Sequence, residues 1–162
     1  TNNNTMEHQQ LVHNLFRVVL QQLKEIGLMK KEDIIEHDLV PHACRPGGHN
    51  YTESRLRFFI DWDPEALTRP QNWTENLPLH SIIIHNGNIQ WFQSVFKAGI
   101  IYFPKKKGMC LLFTTKDIFN RTPFKKACER FGTDEVVKIV ENTIVDYFSG
   151  NNNNNNNNNI VP

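Results

Sequence analysis

The chain has 162 residues, of which 39% are hydrophobic and 22% charged, and this composition suits one folded domain with an apolar core. A formal net charge of +1 gives no bulk field that favours nucleic acid or an anionic membrane, and no apolar run approaches the ~18 residues of a membrane-spanning helix. The three cysteines, Cys44, Cys110 and Cys128, make a poor disulfide framework and predict a reducing, intracellular compartment.

Asparagine-rich segments border the predicted domain. Residues 1–5 are predicted to be a linker, and residues 150–162, with the uninterrupted asparagine run 151–159, a disordered tail. Asparagine has little apolar surface to bury, so such a run cannot offset the entropy lost on ordering. The folded domain is therefore expected within residues 6–149.

The first predicted element is a helix over residues 6–27. Its apolar residues recur at helical spacing, and Gly27 suits the C-terminal end. This apolar stripe consists of Leu11, Leu15, Val18, Val19 and Leu23.

The middle of the chain is ambiguous. Four runs there have the composition of short strands, namely residues 57–62, 80–85, 100–103 and 109–115. Taken alone, they would indicate an α+β domain. A helix is again predicted over residues 133–149, where Thr133 can cap the first turn.

An internal repeat changes that interpretation. Residues 38–44, 77–83 and 122–128 align, and a glycine follows ten residues after each start, at Gly48, Gly87 and Gly132. An apolar helical pattern follows each glycine. Proline in a first helical turn costs no hydrogen bond, and glycine tolerates the positive φ that ends a helix. The repeating unit is therefore a pair of helices, too small to bury its apolar face without neighbours.

These residues resemble the ankyrin repeat, whose signature is Thr-Pro-Leu-His-x-Ala, then a glycine and a second helix. The second unit supplies Pro78, Leu79, His80 and Gly87. The third supplies Thr122, Pro123, Ala127 and Gly132, and the first keeps Ala43 and Gly48. Family repeats are about 33 residues long. The units here lie near 38–72, 73–117 and 118–149, so the resemblance is to a divergent form with lengthened repeats.

The resemblance implies an all-α fold of about three stacked helix pairs, with the first helix as a leading cap. It also implies that the strand-like runs are helical, and that His80 hydrogen-bonds backbone near its turn. Ankyrin domains bind proteins through the loops between repeats and the concave helix face. The expected function is therefore non-enzymatic protein binding, with no cofactor, metal, nucleic acid, membrane or small-molecule substrate. The loop before the second unit supplies the expected contact residues, which are Arg69, Gln71, Asn72 and Trp73.

Two other classes of function stay open. The chain could be a structural spacer within a larger repeat array, because a domain of only about three repeats rarely stands alone without caps. It could also be a metal-dependent enzyme, because four zinc-ligand side chains lie close in sequence, although their spacing matches no familiar zinc site. These are His37, His42, Cys44 and His49.

Two charged groups have both a chemical and a structural interpretation. Asp61 and Asp63 could form an acid–base pair, but a turn before Pro64 explains them more simply. The lysines at 105–107 could contact phosphate, but a solvated turn is the favoured interpretation.

Overall fold

Helices make up the regular secondary structure of this chain in a computed structural model, which describes residues 2–44, 53–71, 74–85, 88–104, 106–113 and 116–155. No strand occurs among these residues. The strand-like runs lie in helices over their described parts, apart from Phe103, which directly follows a helix, and the prediction of an all-α fold is confirmed. Burial against neighbouring helices overrides the β-propensity of their branched and aromatic side chains.

The described residues form nine α-helices and one 3-10 turn. In chain order they are α1 (Asn2–Glu25), α2 (Lys31–Glu36), α3 (Leu39–Ala43), α4 (Glu53–Trp62), the 3-10 turn Pro64–Thr68, α5 (Pro78–His85), α6 (Ile89–Tyr102), α7 (Lys106–Phe113), α8 (Pro123–Phe131) and α9 (Thr133–Asn155).

The helices are arranged in two layers. One layer places α5 between α3 and α8, and the other places α6 between α4 and α9. Within each unit the two helices also pack on each other, as α3 on α4, α5 on α6 and α8 on α9. Helix α1 packs on α4, at the outer side of the second layer. Helices α3, α5 and α8 therefore lie side by side in one layer, and α4, α6 and α9 in the other.

The core lies between these layers and is supplied mainly by the second helix of each pair. In α6, Phe92 and Phe96 are fully buried and their rings stack with centroids 6.4 Å apart. The corresponding apolar positions of α4 and α9 are buried as well, at Leu56, Phe59, Ile60, Val136 and Val140. Burying each such side chain stabilises the fold by about 1.5–3 kcal/mol.

The structure of the segment that carries the lysines at 105–107 differs from the prediction. The lysines at 105–107 were expected in a turn, but Lys106 and Lys107 begin helix α7, and residue 105 lies outside the described residues. Helix α7 packs closely on α6 because both carry a glycine at the contact. A Cβ at Gly108 would collide with the Phe103 carbonyl oxygen, and one at Gly99 would lie 2.6 Å from the Leu111 side chain.

Both ends of the domain differ from the predicted boundaries. Helix α1 already begins at Asn2, within the segment expected to be a linker, and α9 continues to Asn155, within the asparagine run. Extension is favourable because each residue added to an existing helix gains a hydrogen bond without a new nucleation step. Residues 156–162 lie outside the described residues.

The apolar stripe expected on α1 does not face the core. Phe16 and Leu20 pack inward instead. The exposed members of the stripe are Leu11, Leu15, Val18 and Val19, each more than half exposed. The helix ends at Glu25, and Gly27 follows with φ 72°, as its sequence position predicted. None of the described helices is long and apolar enough to cross a membrane.

Candidate binding loops

The loop before α5 is centred on Gln71, whose side chain is buried. Its backbone N–H donates to the Asn76 carbonyl at 2.9 Å, and the Glu75 N–H donates to the Gln71 carbonyl at 3.0 Å. The Thr74 hydroxyl donates to Gln71 Oε1 at 2.8 Å. Glu75 takes the left-handed conformation at φ 54°, which reverses the chain toward the helix.

This geometry corrects one expected contact residue. Gln71 is only 5% exposed and is hydrogen-bonded within the loop, so its side chain offers little surface to a partner. Arg69 is exposed, with its guanidinium 3.9 Å from the Asp63 carboxylate. Asn72 and Trp73 lie outside the described residues.

The loop before α8 is closed in a similar way around Asp117, although its hydrogen-bonded residues lie one position closer in sequence. The Asp117 N–H donates to the Arg121 carbonyl at 3.0 Å, and the Asn120 N–H donates to the Asp117 carbonyl at 2.8 Å. Asn120 is left-handed at φ 60°. Both loops therefore have a buried polar residue, a left-handed residue near the end, and a proline that opens the next helix, Pro78 or Pro123.

Asp117 is also the centre of a charge cluster. Its carboxylate accepts hydrogen bonds from Lys126 Nζ at 2.8 Å, from the Arg121 guanidinium at 3.0 and 3.2 Å, and from the backbone N–H groups of Phe119 and Arg121. Burial by itself would raise the pKa of Asp117. The bonds from Lys126 and Arg121 outweigh it and hold that pKa well below its usual range.

Two large apolar side chains stand at the tip of this second loop. Ile118 is 62% exposed and Phe119 69% exposed, although both follow a buried aspartate. The Arg121 guanidinium lies 4.8 Å from the centroid of the Phe119 ring. Sequence analysis missed both residues. The signal that could have found them is a pair of apolar residues between an aspartate and an asparagine, just before Thr-Pro.

His80 links the second unit to the loop of the third. Its Nδ1 accepts the Leu77 N–H at 3.1 Å, which requires Nε2 to carry the proton that it donates to the Arg121 carbonyl at 3.0 Å. Burial lowers the pKa of His80, which favours the neutral ring that both bonds need. Both ring nitrogens are therefore engaged in holding backbone.

The other repeat-motif residues occupy structural positions. Thr122 caps α8, accepting the Lys125 N–H at 3.2 Å, and Ala127 is fully buried. Gly132 follows α8 with φ 91° and ψ 142°, so its φ is positive, as expected, but its ψ lies away from the left-handed helical region. Leu79 is buried and Ala43 half-buried. Gly48 and Gly87 lie outside the described residues.

The candidate zinc ligands do not lie together in the described part of the chain. His37 and His42 are exposed, whereas Cys44 is fully buried, and burial raises the pKa of its thiol to about 12. Zinc binds the thiolate, so this thiol is a poor ligand. His49 lies outside the described residues. A different group, Asp33, Glu36 and His37, could place ligand atoms within 4.8 Å of one another at the end of α2, mostly in solvent.

Asp61 and Asp63 differ in their burial and in their partners. Asp61 is exposed and accepts a 2.5 Å hydrogen bond from the Tyr102 hydroxyl. Asp63 is buried where the 3-10 turn begins, and Lys31 Nζ lies 3.1 Å from its Oδ1 without hydrogen-bond geometry. The two side chains have different surroundings, and the interpretation as a turn explains them.

Comparison with protein-family models, with curated proteins and with solved structures finds no match to this chain. The resemblance to ankyrin repeats therefore depends on the internal repeat and on the geometry of the two loops.

Proposed function

We propose that this chain is an ankyrin-like repeat domain that binds another protein through the loops between its helix pairs. Side-by-side packing of equivalent helices supports the ankyrin-like interpretation. So do the prolines that open α5 and α8, and the two backbone hydrogen bonds of His80, which are of the kind that the resemblance implies.

The observation that carries the proposal is that two loops are closed in a similar way. Each loop is closed by backbone hydrogen bonds around a buried polar residue, Gln71 or Asp117. A loop held in this way loses little entropy on binding, and a rigid scaffold that presents variable loops is a common arrangement for recognition. None of the three cysteines, all of them among the described residues, is in a disulfide, and this fits an intracellular site of action.

The chemistry of the candidate reactive groups supports a binding role over an enzymatic one. A catalytic cysteine needs a lowered pKa, whereas that of Cys44 is raised. A general base needs a nitrogen free to take a proton, whereas both nitrogens of His80 are hydrogen-bonded.

The proposal is tested by comparing what three forms of the chain retain from a cell extract. The loop variant carries Arg69→Ala, Ile118→Ser and Phe119→Ser. The control variant carries Val145→Ser and Phe148→Ser, which are similarly exposed residues on α9. We expect at least one protein to be retained by the wild type and the control and lost by the loop variant. Identical retention by all three folded forms would contradict the proposal.

A second candidate, the spacer in a larger array, is favoured by the outer helix α1. Its exposed stripe adjoins a groove of about 450 Å³ that is lined in part by Val18 and Phe58. Apolar surface of this kind is what a further stacked unit would cover. The spacer role predicts that changes at Leu11 and Leu15, and not at the loops, reduce association.

A further inference from the structure

We propose that the loop of residues 116–121 inserts Ile118 and Phe119 into an apolar pocket of a partner protein whose rim carries carboxylates. The inference rests on the proposed function and adds which loop makes the central contact and what chemistry it meets. Large side chains buried at the centre of an interface supply most of its binding energy. Ile118 and Phe119 are adjacent, large and more than 60% exposed.

The loop presents this pair in a fixed conformation. Asp117 Oδ1 accepts the N–H groups of both Phe119 and Arg121, so the backbone on either side of the tip is tied to one buried atom. The Arg121 side chain, held by Asp117 at 3.0 Å, lies against the Phe119 ring. The backbone at the tip and the Phe119 ring are therefore held in place before binding, which lowers the entropic cost of association.

The charge cluster beneath the tip fixes the conformation of the loop more than it increases the free energy of unfolding. A buried ion pair gains little over well-packed apolar residues, because both charges must be desolvated. Asp117 and Lys126 are 4% and 9% exposed, and their contact fixes the loop to the first turn of α8. The neutral Gln71 occupies the corresponding place in the other loop, and its side chain accepts a hydrogen bond from the Thr74 hydroxyl.

Charge around the tip indicates an acidic rim on the partner. Lys116 and Lys125 are exposed, and among the described residues neither has a carboxylate partner. The two nearby acids are already engaged, Asp117 by Lys126 and Arg121, and Glu129 by Arg121 at 3.6 Å. The surface around the apolar pair is therefore positive, and an acidic rim would complement it and speed association.

A lipid bilayer is a weaker match than a protein pocket. A single myristoyl chain gives only marginal membrane binding, and the two side chains carry less apolar surface than that chain. Two lysines would add only about 1 kcal/mol each at an anionic surface. A shaped pocket adds close packing on both side chains and so favours the protein partner.

The test places a photoreactive phenylalanine analogue, p-benzoylphenylalanine, in the full chain at position 69, 119 or 148. Position 148 is a matched control because Phe148 is 52% exposed on a helix. Each chain is irradiated in an extract of the cells that make it, and the adducts are mapped by mass spectrometry. We expect about tenfold more adduct at 119 than at 148, in a partner segment that combines apolar residues with aspartate or glutamate. The double reversal Lys116→Glu and Lys125→Glu should lower the yield at 119.

Three outcomes would overturn the inference. An adduct at 69 without one at 119 would leave the proposed function standing and reject this loop as its centre. No adduct at 69 or 119 would reject both proposals. Sedimentation of the chain with phosphatidylcholine–phosphatidylserine vesicles, lost in a variant with Ile118→Ser and Phe119→Ser, would assign the tip to a membrane surface instead.

Discussion

The two loops are closed in a similar way but are held by different chemistry. The loop before α5 is centred on Gln71, an uncharged side chain with a hydroxyl partner, whereas the loop before α8 is centred on the carboxylate of Asp117, bound by two cations. The charged centre should be more sensitive to substitution and to pH, because removing one partner leaves the others buried without compensation. The two loops should therefore differ in how much unfolding free energy is lost when the central residue is substituted.

The largest effect is expected for Asp117→Asn. The amide preserves shape but leaves the buried Lys126 ammonium without its counter-charge, and breaking a buried pair costs about 3–5 kcal/mol of unfolding free energy. Gln71→Ala, which removes a neutral bond, should cost only about 1–2 kcal/mol. Urea denaturation at pH 7 measures both values. Equal costs would show that the two loops are energetically alike.

Lowering the pH should remove from the wild type the stabilisation that the Asp117 carboxylate provides. The pKa of Asp117 is depressed in the folded state, so its stabilisation is complete above the unfolded pKa of about 3.9 and is lost as pH falls toward the folded value. The stability difference between wild type and Asp117→Asn should therefore shrink below about pH 4. Glu129→Gln, at an exposed partner of Arg121, serves as the control and should change stability by no more than about 0.5 kcal/mol.

A smaller, pH-dependent effect is expected for His80→Gln, which weakens the link between α5 and the Asp117 loop. Because burial lowers the pKa of His80, the unfolded chain takes up a proton as pH falls below about 6.5 while the folded chain does not. Wild-type stability should therefore decline below pH 6.5, and less so in His80→Gln, which should cost about 1–3 kcal/mol at pH 7.5. Thermal melts across this pH range, with the exposed His42→Gln as control, measure both effects. A rise in wild-type stability on acidification through this range would contradict the assignment.

The smallest effects concern the left-handed residues. Glutamate is strained at φ 54°, whereas asparagine tolerates φ 60°. Glu75→Gly should therefore stabilise by up to about 1 kcal/mol, and Asn120→Gly should change stability by less than about 0.5 kcal/mol, after allowing for the unfolded-state entropy of glycine. Urea midpoints compare the two variants. The opposite order would contradict the assignment of greater strain to Glu75.

Local sequence signals predicted the helical class. Thr122, which precedes α8, and Pro123, its first residue, indicated where that helix begins. The apolar spacing of Phe92, Val95 and Phe96 indicated a buried helix face. The loop before α5 was expected to supply contact residues, but Gln71 is buried. The exposed pair at 118–119 was not singled out, because neighbouring residues do not specify which side chains of a loop point outward.

The sequence by itself determined where helices can start and stop, because capping, proline geometry and helical periodicity act between residues a few positions apart. Only the tertiary structure decided which face of α1 packs, that the lysine-rich insert becomes helix α7, and that His80 bonds a carbonyl 41 positions away. Burial and long-range hydrogen bonds depend on contacts between distant segments, and these exist only once the layers have assembled.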